Sequence, residues 1–332
     1  MNKRTIPLST HLFYILLGGS LFCPVPSSAA HIAENTVEQQ EFALEGVEVT
    51  AAANTEDLPP AYAGGQVARG ARLGVLGNMD FMATPFNVVS YTAELMENQQ
   101  AATIAEVVAN HPSVRVTSSG SYNQYWNIRG FAVTSVSFNG LYNVSPHWLS
   151  GSDFVERVEV LAGPSALLNG VAAASGNIGG AINLVPKRAG EEPLTKFTAS
   201  YSGDSQLGGH IDIGRRFGEN QQFGFRFNGS YRSGDTAFDN ESLTAGAASL
   251  GLDWRSERWR TSLDLGYQNR KIDAPAAYFN APTGFALPKA PPKNTLNISP
   301  AWTYADTEDM FGVIPKNLAS AAALPPAPSS IT

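Results

Sequence analysis

Cysteine is all but missing from this chain of 332 residues: Cys23 is the single example, and it lies close to the N-terminus. One thiol makes neither an intrachain disulfide nor a thiolate metal cluster, so both frameworks are excluded. Histidine is scarce as well. His11, His31, His111, His147 and His210 form no pair at metal-ligand spacing such as His-x-x-x-His, so no resident metal is indicated. Positive charge is short, with 22 Lys and Arg against 29 Asp and Glu and a formal net charge of −7. A nucleic-acid backbone needs clustered cations, which argues against that partner. No serine sits in a Gly-x-Ser-x-Gly elbow and no acid pair stands out. Gly176-Asn177-Ile178-Gly179-Gly180 lacks the Lys-Ser or Lys-Thr that completes a phosphate loop and reads as a tight turn ahead of a strand. The residues indicate no enzyme and no bound cofactor. Although 43% of residues are hydrophobic, no apolar run beyond the first thirty approaches the ~20 residues of a membrane helix. Only strands closed into a barrel would place this chain in a membrane.

What the chain does contain begins with a secretory leader. Lys3 and Arg4 precede an apolar stretch from Leu12 to Phe22, and Ser28-Ala29-Ala30 supplies the small-residue cleavage step, so residues 1–30 read as a signal peptide. Phe22 stands where a lipidation signal needs a small residue, so Cys23 is not read as a lipid anchor and leaves with the leader. Loss of Lys3 and Arg4 takes the net charge to −9. Residues 31–56 follow as a polar, acidic and flexible segment, interrupted by one alternating β-prone run, Glu45-Gly46-Val47-Glu48-Val49-Thr50-Ala51. A lone strand of this kind seeks a partner.

From about Gly74 to Pro193 helical and strand patterns mix. Thr92 and Thr103 each cap a short helix with acidic residues in the first turn, and Gly163-Pro164-Ser165 opens a third through Leu168. Val114–Val116, Trp126–Arg129, Val136–Phe138, Val155–Leu161 and Ala181–Val185 read as strands. After Pro193 the pattern becomes strict alternation. Phe223, Phe225, Phe227 and Tyr231 share one face and Arg226, Asn228, Ser230 and Arg232 the other, and later strands repeat this through Trp254, Trp259 and Tyr267. Tight turns at Gly218–Asn220 and Ser256–Glu257 alternate with longer loops at Gly234–Leu243 and Asp273–Pro300. Aromatic residues at strand ends and alternating short and long connections are the marks of a transmembrane barrel rather than a soluble sandwich.

Four segments, taken in order, carry a family resemblance: Ile128-Arg129-Gly130-Phe131; Val136-Ser137-Phe138-Asn139-Gly140; Val155-Glu156-Arg157-Val158-Glu159 running on through Gly163-Pro164-Ser165 to Gly170; and Gly179 to Arg188. Over roughly Leu44 to Asp309 the sequence resembles the TonB-dependent receptors of bacterial outer membranes, in their ferric-siderophore branch. The resemblance implies an α+β plug domain, here residues 57–193, followed by antiparallel transmembrane β-barrel strands, here residues 194–332. The family barrel has 22 strands. Only about five clear strands precede Asp273, and a proline-rich, irregular tail ends the sequence, so an interrupted or truncated barrel is the expectation.

The resemblance also implies the partners. Residues 45–51 would be the TonB box, pairing by strand addition with TonB, itself energised by ExbB and ExbD. Arg129, Glu156, Arg157 and Glu159 belong to the family's charged motifs and would hold plug to barrel. The cargo would be a ferric siderophore in the cell outer membrane of a Gram-negative bacterium, in contact with lipid. The outward plug loops Ser119–Trp126 and Leu141–Ser152 offer Tyr122, Tyr125, Trp126, Tyr142, His147 and Trp148 and no Lys or Arg. Aromatic walls without cations favour a neutral hydroxamate-type complex over a charged catecholate. The alternatives are a TonB-dependent receptor for a different ligand, a non-transporting product that has no function or only binds TonB, and a soluble periplasmic binding or adhesive β-protein.

Overall fold

The computed structural model describes residues 58–318 apart from 118–123, 134–135, 143, 146–148, 150, 170–177, 257–258, 277–282, 285–288, 290–291 and 315. The strand at 45–51, Tyr122, His147, Trp148 and the Trp259 side chain lie outside the described residues.

The first part of the described chain is an α+β domain. An antiparallel ribbon of β1 (Gly70–Arg72) and β2 (Asn78–Asp80) leads into β3 (Val88–Thr92) and two short helices, α1 (Ala93–Asn98) and α2 (Ile104–Val108). Both helices start where the threonines demand. The Thr92 hydroxyl accepts from Leu95 N–H and the Thr103 hydroxyl from Glu106 N–H, each quieting one of the orphan donors of a first turn. Glu106 reaches back past the cap, accepting from Ala102 N–H and from the Thr103 hydroxyl, each at 2.9 Å, in a variant of the capping box. A three-stranded meander follows, β4 (Val114–Val116), β5 (Trp126–Ile128) and β6 (Phe131–Ala132). Then come β7 (Ser137–Phe138), β8 (Val155–Leu161), α3 (Ala166–Asn169) and β9 (Ala181–Pro186). The main sheet runs β3-β8-β9-β7, antiparallel except where β7 lies parallel to β9. Helix α3 begins at Ala166, two residues after Pro164, so the proline precedes the helix instead of opening it.

The apolar residues of β8 and the two helices make the core. Val155, Val158, Val160, Ile182 and Leu184 pack with Ile104, Val107, Val108 and Ile128, all essentially solvent-free. Gly179 and Gly180 lie hard against backbone: a Cβ on either would collide with the carbonyl of Ile128 or of Leu161. The glycine run is therefore a close-packing device between sheets.

From Leu194 the chain builds a wall. Strands β10 (Leu194–Ser202), β11 (Gln206–Phe217), β12 (Phe223–Asp235), β13 (Ser242–Arg255), β14 (Trp259–Asp273) and β15 (Tyr304–Val313) pair in sequence order, each antiparallel to the last. The short β16 (Lys316–Leu318) continues along β14 beyond the end of β15. Strand β15 lies past the five that alternation alone revealed.

The wall is inside-out by soluble standards. Arg226, Asn228, Asp212, Asp264 and Gln268 are buried, whereas Phe197, Leu207, Phe223, Tyr231 and Met310 are at least half exposed. Polar side chains face the α+β domain and apolar ones face away. On the apolar side Phe217, Phe223 and Trp254 stand in register across three strands at the tight-turn end. Tyr201, Tyr231, Tyr267 and Tyr304 occupy the opposite half. Phe223 and Tyr231 are eight residues apart, about 27 Å along a strand and roughly 20 Å once tilted, close to the ~25 Å apolar band of an outer-membrane barrel.

Candidate functional site

The seam where the α+β domain meets the wall gathers most of the buried charge. The domain leaves β9 through Lys187 and Arg188, and both reach carboxylates on the wall. Lys187 Nζ lies 3.2 Å from Asp212 Oδ2, with both side chains under 5% exposed. Arg226 grips the same carboxylate from β12 in a two-pronged contact, Nε to Oδ1 at 2.5 Å and Nη2 to Oδ2 at 2.7 Å. Arg188 pairs with Asp264 on β14 and Arg216 with Asp253 on β13. Two arginines also donate back to the exit segment: Arg226 Nη1 to the Arg188 carbonyl at 3.2 Å and Arg216 Nη1 to the Ala189 carbonyl at 2.8 Å. Further along, Ser230 Oγ and Arg232 on β12 bond to Asp153 of the domain, and Gly151 N–H donates to Gln268 on β14 at 2.9 Å. Burying such pairs adds little net stability, because desolvation offsets the attraction. Their effect is positional: sliding the domain along the wall would strand charges in a dry seam.

The other side of the seam is apolar. Phe311 of β15 lies 5.1 Å from Phe138 and 5.7 Å from Phe154, centroid to centroid, and Val313 is a full member of the domain's core. Gly266 on β14 makes room, since a Cβ there would run into the Phe311 ring.

The residues singled out from sequence divide. Glu159 is buried inside the α+β domain, where its carboxylate accepts from Asn183 Nδ2 at 2.7 Å and from Arg72 N–H at 3.1 Å. Asn183 is itself fixed, its oxygen accepting from Ser137 Oγ and Gly140 N–H. Burial, only partly offset by these donors and by Arg157 and Arg72, pushes the Glu159 carboxyl up to about 7. Burial likewise lowers the Arg157 guanidinium, against the raising influence of Glu156 and Glu159. Two of the Arg157 nitrogens, Nε and Nη1, are buried without a hydrogen-bond partner among the described residues. A register shift between Val155 and Arg157 turns Glu156 into a cleft between domain and wall. Arg129 is exposed and adopts a positive φ of 53° ahead of Gly130. Of the aromatic candidates, Tyr125 is about half exposed and Trp126 is buried in the core. Tyr142 packs with the small cluster around Leu73. Sequence reasoning did not single out Asp153, Asp212, Asp253 or Asp264, whose partners lie far away along the chain. Among the described residues no group of three or more His, Cys, Asp or Glu is placed to hold a metal.

A sheet that is apolar outside, polar inside and pinned around an N-terminal α+β domain defines the class: a plugged outer-membrane barrel, of which this chain carries the plug and the first wall strands. The model of the TonB-dependent receptor plug domain matches residues 80–177. The chain therefore carries a plug domain of the TonB-dependent receptor type. It is 41% identical over 285 residues to the ferrichrome receptor of Yersinia enterocolitica, covering 85% of this chain and 38% of that one. It is 27% identical over 240 residues to the ferrichrome outer-membrane transporter and phage receptor of Escherichia coli, covering 68% and 30%. Among solved structures, the ferric preacinetobactin receptor of Acinetobacter baumannii matches with a TM-score of 0.73 and 42% identity, over 77% of this chain and 38% of that one. The chain thus spans about two fifths of the length of the Yersinia and Acinetobacter receptors.

Proposed function

We propose that this chain provides the plug and early wall of an outer-membrane receptor that takes up ferric siderophores at the expense of energy delivered by TonB, with ExbB and ExbD. The observation that carries the reading is the plug seated against a polar-in, apolar-out wall, in a chain 41% identical to a ferrichrome receptor. In this reading residues 1–30 are the export signal, 45–51 the TonB box and 57–193 the plug. Of the charged set Arg129, Glu156, Arg157 and Glu159, Glu156 lines the cleft where plug and barrel meet, whereas Glu159 bonds to Arg72 and Asn183 within the plug. The cargo is a hydroxamate-type complex, a reading supported by loops 119–126 and 141–152, which carry no Lys or Arg; of their described aromatics Tyr125 is about half exposed, while Trp126 and Tyr142 pack inside the plug. Iron arrives inside its chelator and needs no ligand from the protein.

The test is growth of an iron-starved host lacking its own siderophore receptors, expressing this gene with whatever coding sequence continues it. Ferrichrome, ferrioxamine and a ferric catecholate are supplied separately. Growth on the hydroxamates alone supports the proposal in full, and growth on the catecholate alone overturns the ligand class. Val47→Pro removes a backbone donor from the proposed TonB box and breaks strand addition, so uptake should cease while surface binding of the chelate persists. Uptake unaffected by that change would remove residues 45–51 from the mechanism.

A further inference from the structure

One cavity is not absorbed by the transport reading. At the tight-turn end of the wall, a cleft of about 500 Å³ opens between the plug and β11 to β14. Six arginines line it, Arg72, Arg188, Arg216, Arg226, Arg255 and Arg260, against two carboxylates, Glu156 and Asp253. Asp264 and Asp212 pair with Arg188 and Arg226 at its back, and Lys187 shares the Asp212 carboxylate. Arg255 makes no side-chain hydrogen bond or ion pair among the described residues, while the Arg72 guanidinium donates to Asn139 Oδ1 at 3.4 Å and acts on the Glu159 carboxyl. Guanidinium groups held in a recess attract an anion strongly, because low-dielectric walls focus their field. Their planar forks fit the tetrahedral oxygens of phosphate.

The position of the cleft adds a second argument. Its rim includes Trp254, which belongs to the outward aromatic row at this end of the wall. Such rows sit at the level of lipid headgroups. We propose that the cleft binds a phosphate group, supplied either as free phosphate or as the headgroup of a lipid lying against this rim. Arg255 is the residue that commits it: it stands beside Trp254, lines the recess and is engaged by no carboxylate of the described chain.

The experiment uses the full chain, purified in a detergent free of phosphate and sulfate. Inorganic phosphate is titrated by calorimetry, and retention of added phosphatidylglycerol is read by native mass spectrometry. Arg255→Gln and Arg255→Lys are run in parallel, with circular dichroism to verify that each retains the wall. Saturable phosphate binding that falls tenfold or more in Arg255→Gln and largely returns in Arg255→Lys supports the site with free phosphate as occupant. Retention of phosphatidylglycerol without phosphate binding, lost in Arg255→Gln, supports it with the lipid headgroup as occupant. Binding of neither, or binding that Arg255→Gln leaves unchanged, overturns the proposal.

Discussion

Glu159→Gln should be destabilising in acid and stabilising in mild base, and the change of sign is the point. Glu159 is 2% exposed, and burial lifts its carboxyl from an ordinary 4.5 to about 7. Between those values the folded chain holds a proton that the unfolded chain has released, so stability falls as pH rises. The contribution is complete below about 4.5 and gone above about 7. At about 1.4 kcal/mol per pH unit the full swing is about 3 kcal/mol. Glutamine abolishes the titration at a fixed cost. Its oxygen can accept from Arg72 N–H, but its amide then faces the Asn183 amide, donor against donor. Asn183 cannot turn, because Ser137 and Gly140 already donate to its oxygen at 2.9 and 2.8 Å. One frustrated buried donor costs about 1–2 kcal/mol at every pH. The variant should therefore be weaker than the parent by about that amount at pH 4.5 and stronger by about 1 kcal/mol at pH 8. Urea midpoints followed by tryptophan fluorescence in micelles would show the crossing. A variant that is weaker by the same margin at both pH values would refute the reasoning, since Glu159 would then be an ordinary ionised hydrogen-bond acceptor.

Three further outcomes follow from the seam and the helix starts. Asp212→Ala leaves Lys187 and Arg226 both buried without their shared carboxylate and should cost about 3–5 kcal/mol, more than Lys187→Met, which leaves the Arg226 pair intact; denaturant midpoints of the two variants in micelles give the ranking. Gly266→Val forces Phe311 off the wall and away from Phe138 and Phe154, at about 1–3 kcal/mol, with increased protease cutting within residues 58–193 as the readout. Thr103→Ala removes the cap and half of the capping box of α2, at about 1 kcal/mol, visible as faster amide exchange at Ile104 to Glu106.

The sequence made some elements legible and hid others for physical reasons. The threonine-capped helices and Val155–Leu161 stand where local chemistry places them, because a cap and a β-branched run act over a few residues. The wall strands up to Asp273 were readable because one face meets lipid-like surroundings and the other polar ones. Strand β15 was not. Its outward residues include Asp306 and Glu308, on the stretch paired with Lys271 and Asn269 and beyond the register position of Tyr267, so the apolar alternation fails there. The seam was half legible. Lys187 and Arg188 fall in a recognisable motif, but their partners lie 25 and 76 residues further on and are brought close only by strand pairing. Glu159 was visible as a charged motif residue; that its hydrogen bonds stay within the plug depends on Asn183 and Arg72, which no local pattern links to it.

The aromatic bridge from Phe311 to Phe138 and Phe154 has a consequence for the order in which this protein matures. The plug is synthesised first, yet its interior is finished by a side chain that arrives more than a hundred residues later. Until β15 has found β14, the early domain carries an unfilled apolar flank, and it is the later segment that completes the earlier one. A plug cut at Pro193 should accordingly behave as a looser, more readily digested body than the same residues in the whole chain. Exchanging plugs between relatives should succeed only where the incoming domain meets a ring of matching size at that one place on the wall.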